Sequence, residues 1–385
     1  MTQRIYENDS YCTEFTATVV DCLSDNGTYQ IVLDRTAFFP EGGGQAADEG
    51  TLDSIQVLDV QRKGDTVLHK THQPFEKGAV VTGKIDWDLR FSRMQAHAGE
   101  HIVSGVVNSL YGYSNVGFHM GEPLITVDFS GALSNEDIKK VELLSNRAVY
   151  SNAKITASYP SAAELKKLDY RSKIETGEDT RIVTIENIDC CACCAPHPAR
   201  TGEIGLIKII NHYPHRQGTR IEMLAGICAL ADYSSLNSTN KAIMKILAAQ
   251  RSGIDEAVRR LSESAQALRS ENQRLLKTLA LAQLKPIQIK GSTYSLSEGL
   301  SFDELRYCAN SLCEQGFNFC ILLSRCADGW CYVVSSKENQ VNSIVSALNT
   351  AFGGKGGGKD GYAQGKLSAA SEKDIISFVE NLLNQ

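Results

Sequence analysis

Met94-Gln95-Ala96-His97-Ala98-Gly99-Glu100-His101 is the stretch around which the chain is organised. Apolar residues at helical spacing from Arg90 to Leu110 predict that it is part of a helix. Because His97 and His101 are four residues apart, both imidazoles would lie on one face of that helix. Two imidazoles so placed can bind one zinc ion, which needs further ligands to complete a tetrahedron. The alternative is a pair of half-buried histidines on an amphipathic helix, so a metal site requires ligands from elsewhere in the chain.

A second cluster of metal-binding residue types is Cys190-Cys191-Ala192-Cys193-Cys194-Ala195-Pro196-His197. Pro196 and Pro198 exclude a regular helix, so this segment is predicted to be a loop. The N-terminus has no apolar signal core, and a chain expected in the cytoplasm keeps its thiols reduced, which favours metal binding or inert packing over disulfides. By spacing alone, Cys190-x2-Cys193 and Cys191-x2-Cys194 are rival zinc-binding pairs.

The composition is that of a globular protein, with 385 residues of which 42% are hydrophobic and 22% charged. This length is typical of two or three domains. The sequence contains no uncharged apolar run of the roughly 18 residues that a membrane span needs, so no membrane partner is expected. The net charge of −6 means that a nucleic-acid partner would have to meet a local basic patch.

The chain is predicted to be an α+β multidomain protein with four parts. Residues 1–85 carry β-branched and aromatic runs separated by turns such as Asp25-Asn26-Gly27, which indicates a small β-barrel. Residues 86–235 are predicted to form an α+β zinc-binding domain around the histidine helix and the cysteine cluster. Residues 236–285 are predicted to be a long helix, and residues 286–385 a separate α/β domain.

Apolar residues repeat every seven positions within the segment 240–284, which contains no proline. Two such seams interleave at spacings of four and three, and Asn272 is a polar residue in one of them. The pattern predicts either a homodimer through a coiled coil or a long helix that packs on its own domain, and the sequence leaves these alternatives equal. The seam positions are Ile254, Val258, Leu261, Ala265, Leu268, Asn272, Leu275 and Leu279.

A glycine-rich motif, Arg35-Thr36-Ala37-Phe38-Phe39-Pro40-Glu41-Gly42-Gly43-Gly44-Gln45, lies within the predicted barrel. Its three glycines allow a sharp turn and a close approach to a ligand, although a plain flexible loop would have the same composition. Thr36 and Gln45 flank the glycines with groups that can hydrogen-bond a substrate hydroxyl or amine. His119 lies in a strand-like segment and is a weaker candidate for the same pocket.

A second glycine-rich run, Phe352-Gly353-Gly354-Lys355-Gly356-Gly357-Gly358-Lys359-Asp360, is predicted to be a loop before the last helix. It differs from a nucleotide-binding P-loop, because Asp360 stands where Ser or Thr is required and a helix precedes the run. Exposed backbone amides and lysine charges nevertheless suit contact with RNA phosphates. The candidate RNA contacts are Gly353, Lys355, Gly356, Gly358 and Lys359.

Together these motifs resemble the editing domain of alanyl-tRNA synthetase and its freestanding relatives, the AlaX-type alanyl-tRNA editing proteins. The motif at 35–45, the His-x3-His helix after Asp86-Trp87, and Cys193-x3-His197 with the segment 199–205 are similar to that family's motifs in order and spacing. The C-terminal glycine and lysine run is similar to the DHHA1 domain that ends alanyl-tRNA synthetases. No aminoacylation domain is expected ahead of residue 1, so the resemblance implies the long, freestanding form.

The resemblance implies a hydrolase that cleaves the ester between a wrongly attached amino acid, serine or glycine, and tRNA(Ala). It implies one Zn2+ per chain, and it favours Cys193 over the other thiols because only that choice also employs the histidine helix. Thr36 is expected to recognise the hydroxyl of serine, with Gln45 and His119 in the same pocket. The expected zinc ligands are His97, His101, Cys193 and His197.

The family has Gly-Gly-Thr where this chain has Cys194-Ala195-Pro196, which leaves pocket shape and substrate preference open. Four protein ligands fill a tetrahedral site, so one ligand binds weakly, the metal expands its coordination, or the metal only positions the substrate.

The alternative function is a zinc-stabilised RNA-binding protein without catalysis. A metalloprotease is a poorer interpretation, because Glu100 stands one position late for the His-Glu-x-x-His pattern. The remaining histidines are expected to be surface or structural residues: His69, His72, His212 and His215.

Overall fold

A computed structural model describes residues 2–121, 124–172, 180–337, 341–359, 361–368 and 370–384. The chain divides into two compact units, Met1–Ala242 and Ile243–Gln385. In the part of the chain that the structure describes, no helix combines the length and the apolar character that crossing a bilayer requires. The first unit is built from a closed sheet, a long helix and three smaller sheets, and the second from one sheet with helices on its faces.

Six of the first eight strands form a sheet that closes on itself in the order β2-β3-β7-β6-β5-β8, and the other two, β1 and β4, form a separate parallel pair. Strand β8 pairs back onto β2, so every strand of this closed sheet has two neighbours. The predicted turn between β2 and β3 is present, since Asn26 and Gly27 both have positive φ (46° and 83°), as a two-residue hairpin turn requires. The strands are β1 Gln3–Arg4, β2 Glu14–Asp25, β3 Thr28–Leu33, β4 Arg35–Thr36, β5 Gly50–Leu52, β6 Ile55–Lys63, β7 Thr66–Thr71 and β8 Val80–Ile85.

Helix α1, Trp87–Tyr111, confirms the predicted histidine helix. It begins where the side chain of Asp86 accepts a hydrogen bond from Leu89 N, and it ends at Gly112 in the left-handed conformation. A buried ion pair fixes the helix to the closed sheet, because the Arg90 guanidinium donates to both oxygens of Asp48. The same Asp48 carboxylate accepts from Phe39 N at 2.6 Å. The first turn of α1 and the glycine-rich motif are therefore held at one fixed separation.

The other side of α1 packs on two small sheets, of orders β14-β15-β10-β9 and β11-β12-β13. A Cβ on Gly99 would lie 2.8 Å from the Cβ of Ala225, and one on Gly105 would lie 2.5 Å from Ile188 O, so these glycines permit the close approach. The elements are β9 Asn115–Met120, β10 Ile125–Phe129, α2 Asn135–Tyr150, β11 Ile155–Ser158, α3 Ala162–Leu165, β12 Ile182–Ile185, β13 Asp189–Ala192, β14 Ile207–His215, β15 Gly218–Ala225 and α4 Gly226–Leu247.

The prediction of one continuous helix over 236–285 is wrong. Helix α4 ends at Leu247, Ala248 has φ of +48°, and a short 3-10 turn, Arg251–Gly253, leads into helix α5, Ile254–Gln283. Gly253 lowers the helix propensity at this point, and it is the N-cap residue of α5. The heptad pattern begins at Ile254, so all of its seam positions lie in α5.

The second unit confirms the predicted α/β pattern, with strand order β16-β17-β18-β19-β21-β20. Alternate residues of β18 enter two different cores, with Ile321 and Leu323 on one face and Cys320 and Leu322 on the other. The glycine and lysine run predicted to be a loop is instead edge strand β20. The elements are β16 Ile287–Ile289, β17 Ser292–Glu298, α6 Phe302–Glu314, β18 Phe319–Cys326, β19 Gly329–Ser336, α7 Val341–Phe352, β20 Lys355–Lys359, β21 Tyr362–Leu367 and α8 Glu372–Asn384.

Candidate metal centre

The four side chains expected to bind zinc lie together. His97 and His101 come from α1, and Cys193 and His197 come from the loop after β13, referred to below as the metal loop (residues 193–197). One ligand atom from each of the four lies within 4.8 Å of the others. The three imidazole centroids are 5.0 to 5.3 Å apart, and the three histidines are at most 5% exposed. The cluster is thus a buried, convergent set of three nitrogen donors and one sulfur donor.

Each imidazole makes a hydrogen bond through Nδ1 to an oxygen. His97 Nδ1 lies 3.0 Å from Gln45 Oε1, His101 Nδ1 lies 2.9 Å from Asp189 Oδ2, and His197 Nδ1 lies 2.8 Å from Ala195 O. An oxygen acceptor requires the proton to be on Nδ1, so a neutral imidazole keeps its free electron pair on Nε2. All three Nε2 atoms are therefore available as ligands, the arrangement seen when an outer hydrogen bond orients a metal-binding histidine.

The distances within the cluster match those around a tetrahedral zinc ion. Zinc bonds of the usual length to sulfur and nitrogen place the two ligand atoms about 3.5 Å apart. Cys193 Sγ lies 3.4 Å from His97 Nε2 and 3.9 Å from His197 Nε2. Three imidazoles and one thiolate are also a ligand set that zinc prefers. The residues present therefore fit zinc in chemistry and in spacing.

The electrostatics of the cluster favour the metal-binding forms of Cys193 and His197, the thiolate and the neutral imidazole, but not that of His101. Burial raises the pKa of Cys193, but the charges of His97 and His197 and hydrogen bonds from His101 and His197 outweigh it and hold the pKa well below that of a free thiol. Burial lowers the pKa of His197 to about 4. Burial also lowers the pKa of His101, yet its hydrogen bonds, first of all to Asp189, raise it well above the usual value. A metal would displace that proton from His101 on binding.

The other thiols of the cysteine cluster are not members of the four-residue group. Strand β13 alternates, so Cys191 points inwards near His101 and Asp189, while the Cys190 thiol lies 3.7 Å from Thr184 Oγ1. Cys194 is exposed, and a Cβ on Gly43 of the glycine-rich motif would lie 3.3 Å from its sulfur. Among the described residues, neither the Cys190/Cys193 pair nor the Cys191/Cys194 pair forms a group of metal ligands.

Thr36 is completely buried and engaged in a hydrogen-bond chain. His69 Nδ1 donates to Ile31 O at 3.1 Å, so His69 Nε2 accepts the Thr36 hydroxyl proton at 2.8 Å. Burial lowers the pKa of His69 to about 4, which keeps it neutral, and its burial agrees with the structural one of the two roles expected for it. Thr36 Oγ1 also accepts from Phe38 N at 3.1 Å. The hydroxyl has one electron pair left, so it can accept a hydrogen bond from a ligand but has no proton to donate.

Gln45 connects the glycine-rich motif to the metal cluster. Its side chain is 1% exposed, its Oε1 accepts from His97, and its Nε2 has no hydrogen-bond partner among the described residues. The glycine before it has positive φ, and a Cβ there would lie 2.6 Å from the ring of Phe118. Gly44 is therefore required by the close packing of the motif on β9, and Gln45 Nε2 is a buried donor beside the cluster.

His119 does not join the cluster. It is exposed, whereas its neighbour Phe118 lies with its ring centroid 5.2 Å from that of His97. Adjacent residues of a strand point to opposite faces, and the sequence did not indicate which of the two faces the helix. Phe118 is thus the residue of β9 that lines the centre. Glu100 hydrogen-bonds Ser104 and Asn115, away from the four ligands.

An arginine that the sequence did not single out supports the metal loop. Arg181 Nη1 donates to Cys193 O at 3.0 Å and to Ala195 O at 2.8 Å. Ala195 O also accepts from His197, so this one guanidinium braces both ligands of the loop. Arg181 is 7% exposed, and its Nε has no partner among the described residues. Spacing gave no signal for this residue, because its role depends on a tertiary contact.

In the second unit, the predicted RNA contacts lie on or just before the exposed strand β20. Gly353 follows α7 with φ of +60°. Gly356 and Gly358 are required by packing, since Cβ atoms there would lie 2.3 Å from Tyr332 Oη and 1.9 Å from Tyr362 O, whereas a Cβ on Gly357 would have nothing within 4 Å. Charged and aromatic side chains surround the strand: Lys355 pairs with Lys366, Lys359 pairs with Tyr362, and Arg306 lies 5.1 Å from the Tyr362 ring.

Family models match three parts of the chain. They are tRNA synthetases class II (A) over residues 10–89, the threonyl and alanyl tRNA synthetase second additional domain over residues 180–222, and the DHHA1 domain over residues 288–385. These ranges contain the closed sheet with the glycine-rich motif, the metal loop, and the sheet of the second unit. The matches thus include the metal loop and β20, whereas His97 and His101 of α1 lie between the first two matched ranges.

Two proteins of similar length align with nearly the whole chain. An alanyl-tRNA editing protein of Rattus norvegicus is 26% identical over 95% of this chain and 94% of its own length. The alanyl-tRNA editing protein AlaX-L of Pyrococcus horikoshii is 26% identical over 99% of this chain and 98% of its own. The chain belongs to the alanyl-tRNA editing protein family. An alanine–tRNA ligase of Pyrococcus abyssi is 29% identical over 99% of this chain but 44% of its own length, so this family member spans less than half of that ligase.

Replacing the thiol of the cluster should abolish metal binding. We expect Cys193→Ala to lose copurifying zinc, because Cys193 supplies the sulfur ligand beside His97 and His197. Cys190→Ala and Cys191→Ala are matched controls from the same segment and should keep about one metal per chain, measured by elemental analysis of the purified protein. Zinc retained in Cys193→Ala but lost in either control would show that a different thiol binds the metal.

Proposed function

We propose that this chain is a trans-acting hydrolase that removes a wrongly attached amino acid, serine or glycine, from tRNA(Ala). The observation that carries the proposal is the buried His97, His101, Cys193 and His197 cluster joined to the glycine-rich motif through Gln45. The names of its relatives support the substrate class, since two alanyl-tRNA editing proteins align over 94% and 98% of their own lengths. The reaction is ester hydrolysis, in which water cleaves the bond between the amino acid and the terminal ribose.

The four cluster residues would hold one zinc ion. When bound, zinc would supply Lewis acidity towards the ester or a water molecule, or it would position the aminoacyl end if all four ligands stay in place. The chain's own part is to orient the three imidazoles through Gln45, Asp189 and Ala195, and to bury the site so that bulk water is excluded.

Two side chains of the glycine-rich motif would recognise the substrate. The unpartnered Nε2 of Gln45 is a buried donor that a substrate oxygen can satisfy. The remaining electron pair of Thr36 can accept the hydroxyl proton of a seryl group, which alanine lacks. A site built to hydrogen-bond a hydroxyl discriminates strongly against the analogue without it, because a buried polar group is then left unpaired. Correctly attached alanine would thereby be spared.

The β20 surface of the second unit is proposed to bind the RNA. Lys355 and Lys359 supply charge, Gly353 leads into the strand, and Gly356 and Gly358 let it lie flat against β21. Gly357 is the glycine at which backbone is open to a close phosphate contact, since packing leaves space above it. Such contacts add affinity that is common to every tRNA bound, whichever amino acid it carries.

A homodimer through α5 is the proposed assembly. The seam leucines of this helix are exposed in the chain by itself, from 52% for Leu275 to 70% for Leu268. A second copy in heptad register would cover this stripe, and Asn272 within the seam would set that register. The exposure favours the coiled-coil alternative over packing of the helix face on its own unit.

The proposed activity can be tested by measuring deacylation of Ser-tRNA(Ala), Gly-tRNA(Ala) and Ala-tRNA(Ala) by the full chain. Ser-tRNA(Ala) and Gly-tRNA(Ala) should be hydrolysed and Ala-tRNA(Ala) spared. Thr36→Val keeps the shape but removes the hydroxyl, so it should lower kcat/KM for the seryl substrate by at least tenfold and leave the glycyl substrate much less affected. Binding of all three tRNAs without release of amino acid would instead support a zinc-stabilised RNA-binding protein without catalysis.

The proposed RNA contact at β20 can be tested with lysine substitutions. Changing Lys355 and Lys359 together to Ala should raise KM for mischarged tRNA far more than it lowers kcat, because the contacts are equal in the ground and transition states. The slope of log K against log salt should flatten by up to about two. The matched control changes Lys139 and Lys140, two exposed lysines of α2, and should have neither effect. Equal KM values and equal salt slopes for both variants would show that β20 does not bind the RNA.

The proposed homodimer through α5 can be tested with charged substitutions in the seam. Leu261→Asp combined with Leu268→Asp places charges in the proposed interface and should convert a dimer into a monomer in light scattering. Leu143→Asp changes an exposed leucine of α2 to the same residue and should leave the mass unchanged. If the unmodified chain is already monomeric at micromolar concentration, α5 does not mediate self-association.

A further inference from the structure

One of the three cluster histidines has a charged outer partner, and that partner is itself held by an arginine. Arg171 Nε donates to Asp189 Oδ1 at 2.7 Å, and its Nη2 donates to Oδ2 at 2.7 Å. The same Oδ2 accepts from His101 Nδ1 at 2.9 Å. The Asp189 side chain is 2% exposed and that of Arg171 17%, so the contacts are buried at Asp189 and partly exposed at Arg171.

The other two imidazoles of the described cluster have neutral acceptors, Gln45 Oε1 for His97 and Ala195 O for His197. A carboxylate acceptor makes an imidazole a more basic ligand than a neutral carbonyl does. The negative charge of Asp189 also lies beside the place where a dication would bind. His101 is therefore the imidazole whose binding strength depends most on its outer partner.

The carboxylate must stay in the outer position to have this effect. His101, Asp189 and Cys191 bring ligand atoms within 4.8 Å of one another, so they form a second potential group of metal ligands that shares His101. The two hydrogen bonds from Arg171 occupy both oxygens of Asp189 and so compete with direct binding of the carboxylate to a metal.

The backbone fixes Arg171 in this place. Arg171 N donates to Cys190 O at 2.8 Å, and Ala192 N donates to Arg171 O at 2.9 Å, so the residue is attached along β13. The guanidinium fork therefore starts from backbone that is hydrogen-bonded to β13, the strand that carries Asp189. The backbone hydrogen bonds and the contacts through Asp189 thus fix the position of the arginine relative to His101.

We infer that Arg171 is a positioning residue of the metal centre: through Asp189 it holds the imidazole of His101 with Nε2 towards the metal, and it keeps the metal out of the neighbouring His101, Asp189 and Cys191 group. This inference rests on the proposed zinc site. It adds a residue that touches neither the metal ligands' donor atoms nor the substrate.

The test measures zinc affinity of the full apo chain by competition with a chromogenic chelator. Arg171→Met keeps the length of the side chain but removes the fork, and it should weaken zinc binding by about 10- to 100-fold. Arg171→Lys keeps the charge without the paired hydrogen bonds and should give an intermediate value. Arg220 makes an equivalent fork to Asp128 in the same unit, outside the cluster, so Arg220→Met is the matched control and should keep the zinc affinity of the unmodified chain.

A second readout is the absorption spectrum of the cobalt-substituted chains. The unmodified chain and Arg220→Met should share one tetrahedral spectrum, and Arg171→Met should differ as Asp189 or Cys191 enters the coordination sphere. If Arg171→Met does not fold, Arg171→Lys decides by the same two measurements. Equal zinc affinity and identical spectra for the Arg171 variants and Arg220→Met would overturn the inference while leaving the zinc site intact. An unmodified chain that binds no zinc would contradict the proposed zinc site itself, and this inference with it.

Discussion

Three hydrogen bonds, each from an imidazole Nδ1 to an oxygen, determine what the buried cluster can bind. The acceptors come from three separate parts of the chain: Gln45 from the glycine-rich motif, Asp189 from β13, and Ala195 from the metal loop. Because each bond leaves Nε2 free, the ligand set exists only when all three parts are assembled around α1. Folding of the first unit and formation of the metal centre are thus one event, and a metal that binds only the folded chain adds its binding free energy to stability.

The assembly depends in turn on the buried ion pair between Arg90 and Asp48. Asp48 follows Gln45 by three residues, and Arg90 precedes His97 by two helical turns, so the pair sets the distance over which Gln45 reaches His97. A buried pair of this kind contributes little net stability compared with apolar packing, but loss of one partner leaves an uncompensated charge that costs about 3–5 kcal/mol. The pair therefore fixes one arrangement of the closed sheet and α1. On the opposite side, Gly99 and Gly105 let the helix lie close to β15 and to the turn before β13.

The sequence predicted those parts whose signals are local or periodic. Two short motifs predicted a histidine pair and a cysteine and histidine cluster, and the family resemblance selected Cys193 among the thiols. The structure brings the four expected ligands together. The turn at Asn26 and Gly27 and the heptads of α5 followed from residue type and spacing. Where tertiary contacts decide, prediction failed. Nothing local shows that Phe118 and not His119 faces α1, that His69 is buried under Thr36, or that β21 pairs with the run at 355–359 and makes it a strand. The continuous helix over 236–285 was wrong because the chain leaves the helical conformation at Ala248. Arg171 and Arg181 gave no signal because their partners are distant in sequence.

X-ray absorption at the zinc edge of the purified full chain would identify the atoms bound to the metal. We expect a first shell of three nitrogen neighbours at about 2.0–2.1 Å and one sulfur at about 2.3 Å, with the outer-ring scattering that marks imidazole ligands. A first shell with two or more sulfur atoms would mean that the rival thiols of the cysteine cluster bind the metal. A shell of oxygen neighbours without sulfur would mean that His97, His101, Cys193 and His197 do not form a zinc site.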